Sequence, residues 1–201
     1  MTNDSYYTKM ESHSKPKSIA KNYNPTPFYF REQCNRDETR LVVWSPNLNQ
    51  MKEFFYQALW IFPEKVEVLL KIEKEDKGPQ EKWDRYYGQL PRTELEEAIK
   101  QSETIIFQDG ESQMNVRRQD TGDYITVDEH GIIYVYSKSE RFEKLCQENG
   151  FGERLEKLVS DLGHWHISPK EAQRKRDKFI KNLNLKRVSW KKDEPHQISL
   201  F

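Results

Sequence analysis

The chain has 201 residues, a formal net charge of +0, 33% charged residues and a mean hydropathy of −1.01. That is enough length for one domain with a buried core and polar margins. No apolar run approaches the ~18 residues of a membrane span, and the first residues lack the apolar centre of a signal peptide. A cytosolic, soluble protein is therefore the expectation. Cys34 and Cys146 lie far apart in unlike contexts and read as free thiols, with Cys146 on the apolar face of a helix.

Residues 1–27 are rich in Ser, Lys, Asn and Pro and read as a disordered arm, closed by Asn24-Pro25-Thr26-Pro27. A single α+β domain is expected over 28–183, first anchored by Phe28-Tyr29-Phe30. Leu41-Val42-Val43-Trp44 reads as a strand. Ser45-Pro46 reads as a cap with Pro at the first helical position, and Leu48, Met51, Phe55, Ala58 and Leu59 recur at helical spacing after it. Val66, Val68, Leu70 and Ile72 alternate with charged residues, as in a strand with one wet face. Trp83, Tyr86 and Tyr87 are spaced to line a helix. Thr93 with Glu96, and Ser137 with Glu140, match the capping-box pattern ahead of two further helices.

Between those helices, residues 104–108, 112–118, 123–127 and 131–136 are rich in β-branched and aromatic types and separated by short Gly-bearing turns. Gaps this short join neighbouring antiparallel strands, so a four-strand meander is predicted. Asp109-Gly110 reads as a hairpin turn. Leu155, Leu158, Val159 and Leu162 predict a helix stopped by Gly163. Ser168-Pro169 with Glu171 opens another, running to about Leu183 on a thin apolar stripe. The fold class is thus α+β: a mixed or antiparallel sheet, helices packed mainly on one face, and a helical C-terminal segment. Residues 184–201 read as a flexible tail.

The neutral total hides an asymmetry. Lys170 to Lys192 holds ten Lys and Arg against Glu171 and Asp177, while the meander half is acidic. Arg174, Lys175, Arg176, Lys178, Lys181, Lys186 and Arg187 suit phosphate-backbone contact, with Trp190 available to stack on a base; DNA or RNA is the implied partner. The competing reading is a solvated helix face, or one that docks on the acidic half.

Four further clusters bear chemistry. His164-Trp165-His166 places two imidazoles at i, i+2, a spacing looser than zinc sites show unless His130 or Cys146 joins through the fold; a linker between helices is the expected role, and no metal site is assigned. Asp128-Glu129-His130-Gly131 holds acid–base or cation-binding groups, but Asp and Gly suit a four-residue hairpin turn for backbone reasons alone. The Trp83, Tyr86, Tyr87 cluster reads as core or core rim. There is no Gly-rich phosphate loop, nucleophile elbow or Cys/His nucleophile signature, so neither a catalytic residue nor a cofactor is assigned.

The last cluster is Gln197-Ile198-Ser199-Leu200-Phe201. It resembles the short clamp-binding peptide of bacterial replication and repair proteins, whose pattern is Gln, a variable residue, Ser or Asp, Leu, Phe. The resemblance covers these five residues and implies the bacterial DNA sliding clamp as partner, bound by Gln197, Ser199, Leu200 and Phe201. Leu200 and Phe201 would fill an apolar pocket, at roughly 1.5–3 kcal/mol each before the ordering cost. Three functional expectations follow. The first is a non-enzymatic adaptor tethered to the clamp. The second is a nucleic-acid-binding accessory protein using the basic helix. The third is an antitoxin-like or immunity-like protein whose acidic face, with Asp120, Asp123 and Asp128, masks a basic partner.

Overall fold

The computed structural model describes residues 10–12, 26–34, 38–74, 82–156, 158, 164–166 and 168–189. In chain order these form β1 (Met10–Ser12), β2 (Phe28–Gln33), β3 (Thr39–Trp44), α1 (Leu48–Ile61), β4 (Lys65–Glu73), β5 (Trp83–Pro91), α2 (Arg92–Gln101), α3 (Glu103–Phe107), β6 (Ser112–Arg117), β7 (Tyr124–Val127), β8 (Ile133–Tyr136), α4 (Arg141–Glu148), β9 (Gly152–Glu153), β10 (His164–His166), α5 (Ala172–Asn182) and β11 (Lys186–Val188). Among the described residues, nine strands form one sheet in the order β11-β5-β4-β6-β7-β8-β3-β2-β9, and β1 pairs with β10 in a second. Every neighbour is antiparallel except β2 with β9. The class is α+β.

Strand alternation sorts side chains between two faces. Val66, Val68, Leu70 and Ile72 of β4 join a core that all five helices cover, with Met51, Phe55 and Leu59 of α1, Leu95 of α2, Ile106 of α3, Phe142 of α4 and Phe179 of α5. Phe54, Phe55, Phe62, Phe107, Phe142 and Phe179 are each fully enclosed, and each contributes roughly 1.5–3 kcal/mol of burial. The other face carries Lys71 and Glu73 of β4. Toward the β2 edge it holds a smaller apolar cluster of Phe28, Phe30, Val42, Trp44, Ile132, Tyr134 and Leu158.

Several local expectations are corrected. The segment 104–108 is not a strand: Glu103–Phe107 is a short helix. Ile105, Ile106 and Phe107 are all buried in consecutive positions, which one turn wedged against the core permits and a sheet edge does not, so packing overrides β propensity. The meander therefore has three strands, β6 to β8, and β6 pairs on its far side with β4. Asp109 is no hairpin corner. It accepts from the Glu111 N–H at 3.2 Å and from Ser112 Oγ at 2.7 Å as the chain enters β6.

Trp83, Tyr86 and Tyr87 lie on a strand, since β5 pairs with β4 along nine residues. The helix expected from Leu155 onward is absent from its described residues: Arg154–Glu156 is irregular and Leu155 is 83% exposed. Asn47, not Ser45, caps α1, accepting from the Asn49 and Gln50 N–H groups at 3.0 and 3.3 Å. Neither expected capping box forms, for α2 and α4 carry no side-chain cap bond. His164–His166 is a strand rather than a linker between helices. Strands β1 and β11 fall within the stretches read as arm and tail.

Candidate functional site

The structure sorts the basic residues of the C-terminal segment into three groups. Arg176 is buried, 4% exposed. Its Nε donates to Asp109 Oδ2 at 2.6 Å, and its Nη2 donates to Asp109 Oδ1 at 2.7 Å, Glu111 Oε2 at 2.6 Å and Ser168 Oγ at 2.8 Å. It is a core ion triad, and that removes it from any nucleic-acid surface. Lys175, Lys186 and Arg187 are held by Thr104 Oγ1 (3.2 Å), Asn184 Oδ1 (2.6 Å) and Asp84 Oδ1 (2.5 Å). Arg174, Lys178 and Lys181 lie exposed at i, i+4, i+7 on one face of α5; Arg174 also reaches Glu171 at 2.6 Å. Trp190, Gln197, Ser199, Leu200 and Phe201 lie outside the described residues.

The acidic face is thinner than its composition implies. Arg118 grips Asp120 through two bonds of 3.0 and 2.7 Å. Asp128 is 6% exposed and works inward. Its Oδ1 accepts the His130 N–H at 2.9 Å and the Ile132 N–H at 2.7 Å, closing the turn that Gly131 completes at φ +76°.

That turn also begins a cluster of titratable groups. Asp128 Oδ2 lies 2.9 Å from His130 Nδ1. At the end of β4, Glu73 Oε2 lies 3.1 Å from His166 Nδ1. The two imidazoles meet edge to face, centroids 5.2 Å apart. The sheet makes this meeting: β4, β6 and β7 are successive neighbours, so the end of β4 and the turn after β7 sit at one rim, where β10 also arrives. A carboxylate only accepts, so in each pair Nδ1 is the nitrogen that donates.

The two rings titrate apart. Burial drives His130 down, but the Asp128 hydrogen bond and the charges of Asp128 and Glu129 outweigh it and raise its pKa above the ordinary value. Burial and the adjacent His130 keep His166 low despite Glu73. The two imidazoles are thus shifted in opposite directions, His130 up and His166 down. Lys71 stands close by, its pKa lowered by burial and by Arg85, with Glu129 opposing. Ligand atoms of Asp128, Glu129 and His130 lie within 4.8 Å of one another.

Both histidine motifs stood out in the sequence, but nothing in it joined them, and Glu73 and Lys71 gave no sign beyond alternation. Another carboxylate on the same face, Glu67 near the opposite end of β4, is engaged by Tyr87 OH (2.8 Å), Gln89 Nε2 (3.1 Å) and Gln119 Nε2 (2.9 Å). Among the described residues, no helix is long and apolar enough to cross a membrane. No protein-family model, curated protein or solved structure matches the chain.

Proposed function

We propose that this chain is an accessory protein docked on the bacterial DNA sliding clamp, with the folded body acting as adaptor beside DNA. The observation that carries this reading is the sequence Gln197-Ile198-Ser199-Leu200-Phe201, which matches the clamp-binding pattern at each of its four specified positions. Ser189 is the last residue described ahead of Gln197, eight residue steps away. Those steps span at most about 28 Å, so a docked pentapeptide would keep the body within a short radius of the clamp and raise its local concentration there.

Nucleic-acid contact is the second reading, and it is compatible with the first. The stripe of Arg174, Lys178 and Lys181 favours it, with Arg176 subtracted. Three exposed cations give a weak, sequence-independent and salt-sensitive contact, of use mainly to a protein that another partner already holds at DNA.

The test is surface binding of the full chain to the sliding clamp of the source organism, beside the Gln197→Ala/Phe201→Ala double variant. Saturable binding at micromolar or tighter Kd, lost in the double variant and little changed by salt, is the expected result. No binding, or binding indifferent to the two substitutions, overturns the clamp reading. Binding to DNA that collapses with salt and survives the double variant selects the second reading instead.

A further inference from the structure

We infer that Lys71, on the sheet face opposite the helices, is a nucleophilic amine and the site at which this protein takes a short acyl group from a thioester.

Lys71 is the exception among the half-buried lysines of the described residues. Lys52 is paired with Glu103, Lys74 with Asp84 at 3.2 Å and Lys82 with Glu73 at 3.1 Å, and Lys175 donates to Thr104 Oγ1 at 3.2 Å. Lys71 has neither a hydrogen bond nor an ion pair to any described residue. A lysine drawn out of water ordinarily keeps a partner, so an unpaired one calls for a reason.

Its surroundings make protonation costly. Across the sheet Lys71 stands opposite Arg85 of β5 on one side and Gln113 of β6 on the other. Like charges facing each other on adjoining strands repel, and Gln113 brings no charge. Two residues on along β4, Glu73 has one oxygen 3.1 Å from Lys82 and the other 3.1 Å from His166. Two residues back, Leu69 is 0% exposed, and its neighbour across to β6, Asn115, is 2% exposed. Burial and the Arg85 charge hold the Lys71 pKa below the ordinary lysine value, against the opposing charge of Glu129. A lysine partly out of water beside a second cation supplies a larger share of neutral, nucleophilic amine near neutrality.

The same field selects the electrophile. An imine formed with an aldehyde protonates and leaves a cation facing Arg85, whereas an amide is neutral. In the acylation step the Lys71 nitrogen lone pair attacks the thioester carbonyl. The N–C bond forms, the C–S bond breaks, and the departing thiolate takes the proton that nitrogen gives up. The products are an amide on Lys71 and a free thiol, with no change of oxidation state. The enclosed Leu69 and Asn115 beside the amine favour a short acyl chain.

The experiment treats the full folded chain with a limiting amount of S-acetyl-N-acetylcysteamine near neutral pH. The chain is then denatured, its remaining amines are capped with isotopically heavy acetic anhydride, and each lysine is read by peptide mass spectrometry. Lys71 should be acetylated at least about threefold faster than the exposed Lys65 and Lys144, with a rate that levels off at lower pH than theirs. Arg85→Gln removes the like charge and should slow labelling at Lys71; Glu129→Gln removes the opposing one and should speed it. Lys65 and Lys144 should be unmoved in both. Circular dichroism reports whether each variant keeps the fold, and where Arg85→Gln does not, Glu129→Gln decides. Labelling of Lys71 no faster than at the two exposed lysines, or fast labelling that the deciding variant fails to shift in the stated direction, overturns the assignment. Clamp docking rests on residues 197–201 and is touched by neither result.

Discussion

Replacing Arg176 with Met tests whether the most basic stretch of the chain is a surface or a core. Met fills much of the space of the alkyl stem and removes the guanidinium, leaving Asp109, 0% exposed, without its counter-charge. Asp109 keeps only Ser112 Oγ at 2.7 Å, Ser168 Oγ at 2.9 Å and the Glu111 N–H at 3.2 Å. Breaking a buried pair from one side costs about 3–5 kcal/mol, because the remaining charge stays buried. In a chain this long, that lowers Tm by roughly 6–20 °C. Urea unfolding followed by Trp fluorescence and by circular dichroism measures it. The pH dependence adds a second sign. Burial alone would raise the Asp109 pKa, but hydrogen bonds from Arg176 and Ser112 and the Arg176 charge hold it below the ordinary value. In the parent chain this stabilisation is full above the unfolded carboxyl pKa of about 3.9 and is lost as pH falls through the lower folded value. In the Met variant Asp109 rises instead, so the deficit shrinks on acidification, as the stranded carboxylate takes a proton. A loss below about 1 kcal/mol at pH 7, the range of exposed pairs, would refute the buried triad and return Arg176 to the surface.

Three other outcomes follow from the same structure. Asn47→Ala removes the only side-chain cap of α1 and should cost about 1 kcal/mol in urea unfolding, whereas Thr93→Ala, which caps nothing, should stay within about 0.5 kcal/mol. Cys34 is exposed and Cys146 buried, and burial with the nearby Glu143 charge pushes the Cys146 thiol pKa upward; a disulfide-exchange reagent should therefore label one thiol per native chain and two after denaturation. Leu69→Asp, on β4 at 0% exposure, should leave little folded protein in a solubility assay, since it buries an unpaired charge.

The sheet was legible in places where alternation is long and unbroken. β4 declares itself through Val66, Val68, Leu70 and Ile72, and the turn at Asp128–Gly131 through its turn residues. β5 was misread because Trp83, Tyr86 and Tyr87 fall at i, i+3, i+4, a helical spacing that a strand can also contain; only nine residues of pairing with β4 decide between them. Short α3 was misread because Ile105-Ile106-Phe107 has β composition, and a single turn has no room to show its period. Arg176 was lost among Arg174 and Lys175, yet a signal was present: Ala172, Arg176 and Phe179 stand at i, i+4, i+7, and these are the three buried residues of α5. A cation on an apolar stripe is a request for a buried anion, and Asp109 answers it from 67 residues away. The histidine pair gave no such signal, because its two halves belong to different strand connections.

The buried triad and the histidine pair meet through Ser168. Its Oγ donates to Asp109 at 2.9 Å and accepts from Arg176 at 2.8 Å, and His166, two residues earlier, is held to Glu73 at 3.1 Å. The strand that brings His166 to His130 is thus pinned on its C-terminal side by the core triad. Ser168→Ala leaves the direct Asp109–Arg176 bonds in place and releases that pin. It removes two hydrogen bonds to charged groups, each worth about 1.5–3 kcal/mol, and urea unfolding should show a loss of at least about 1.5 kcal/mol. A loss below about 0.5 kcal/mol would mean that Asp109 and Arg176 need no third partner, and that the triad serves the core without reaching the rim.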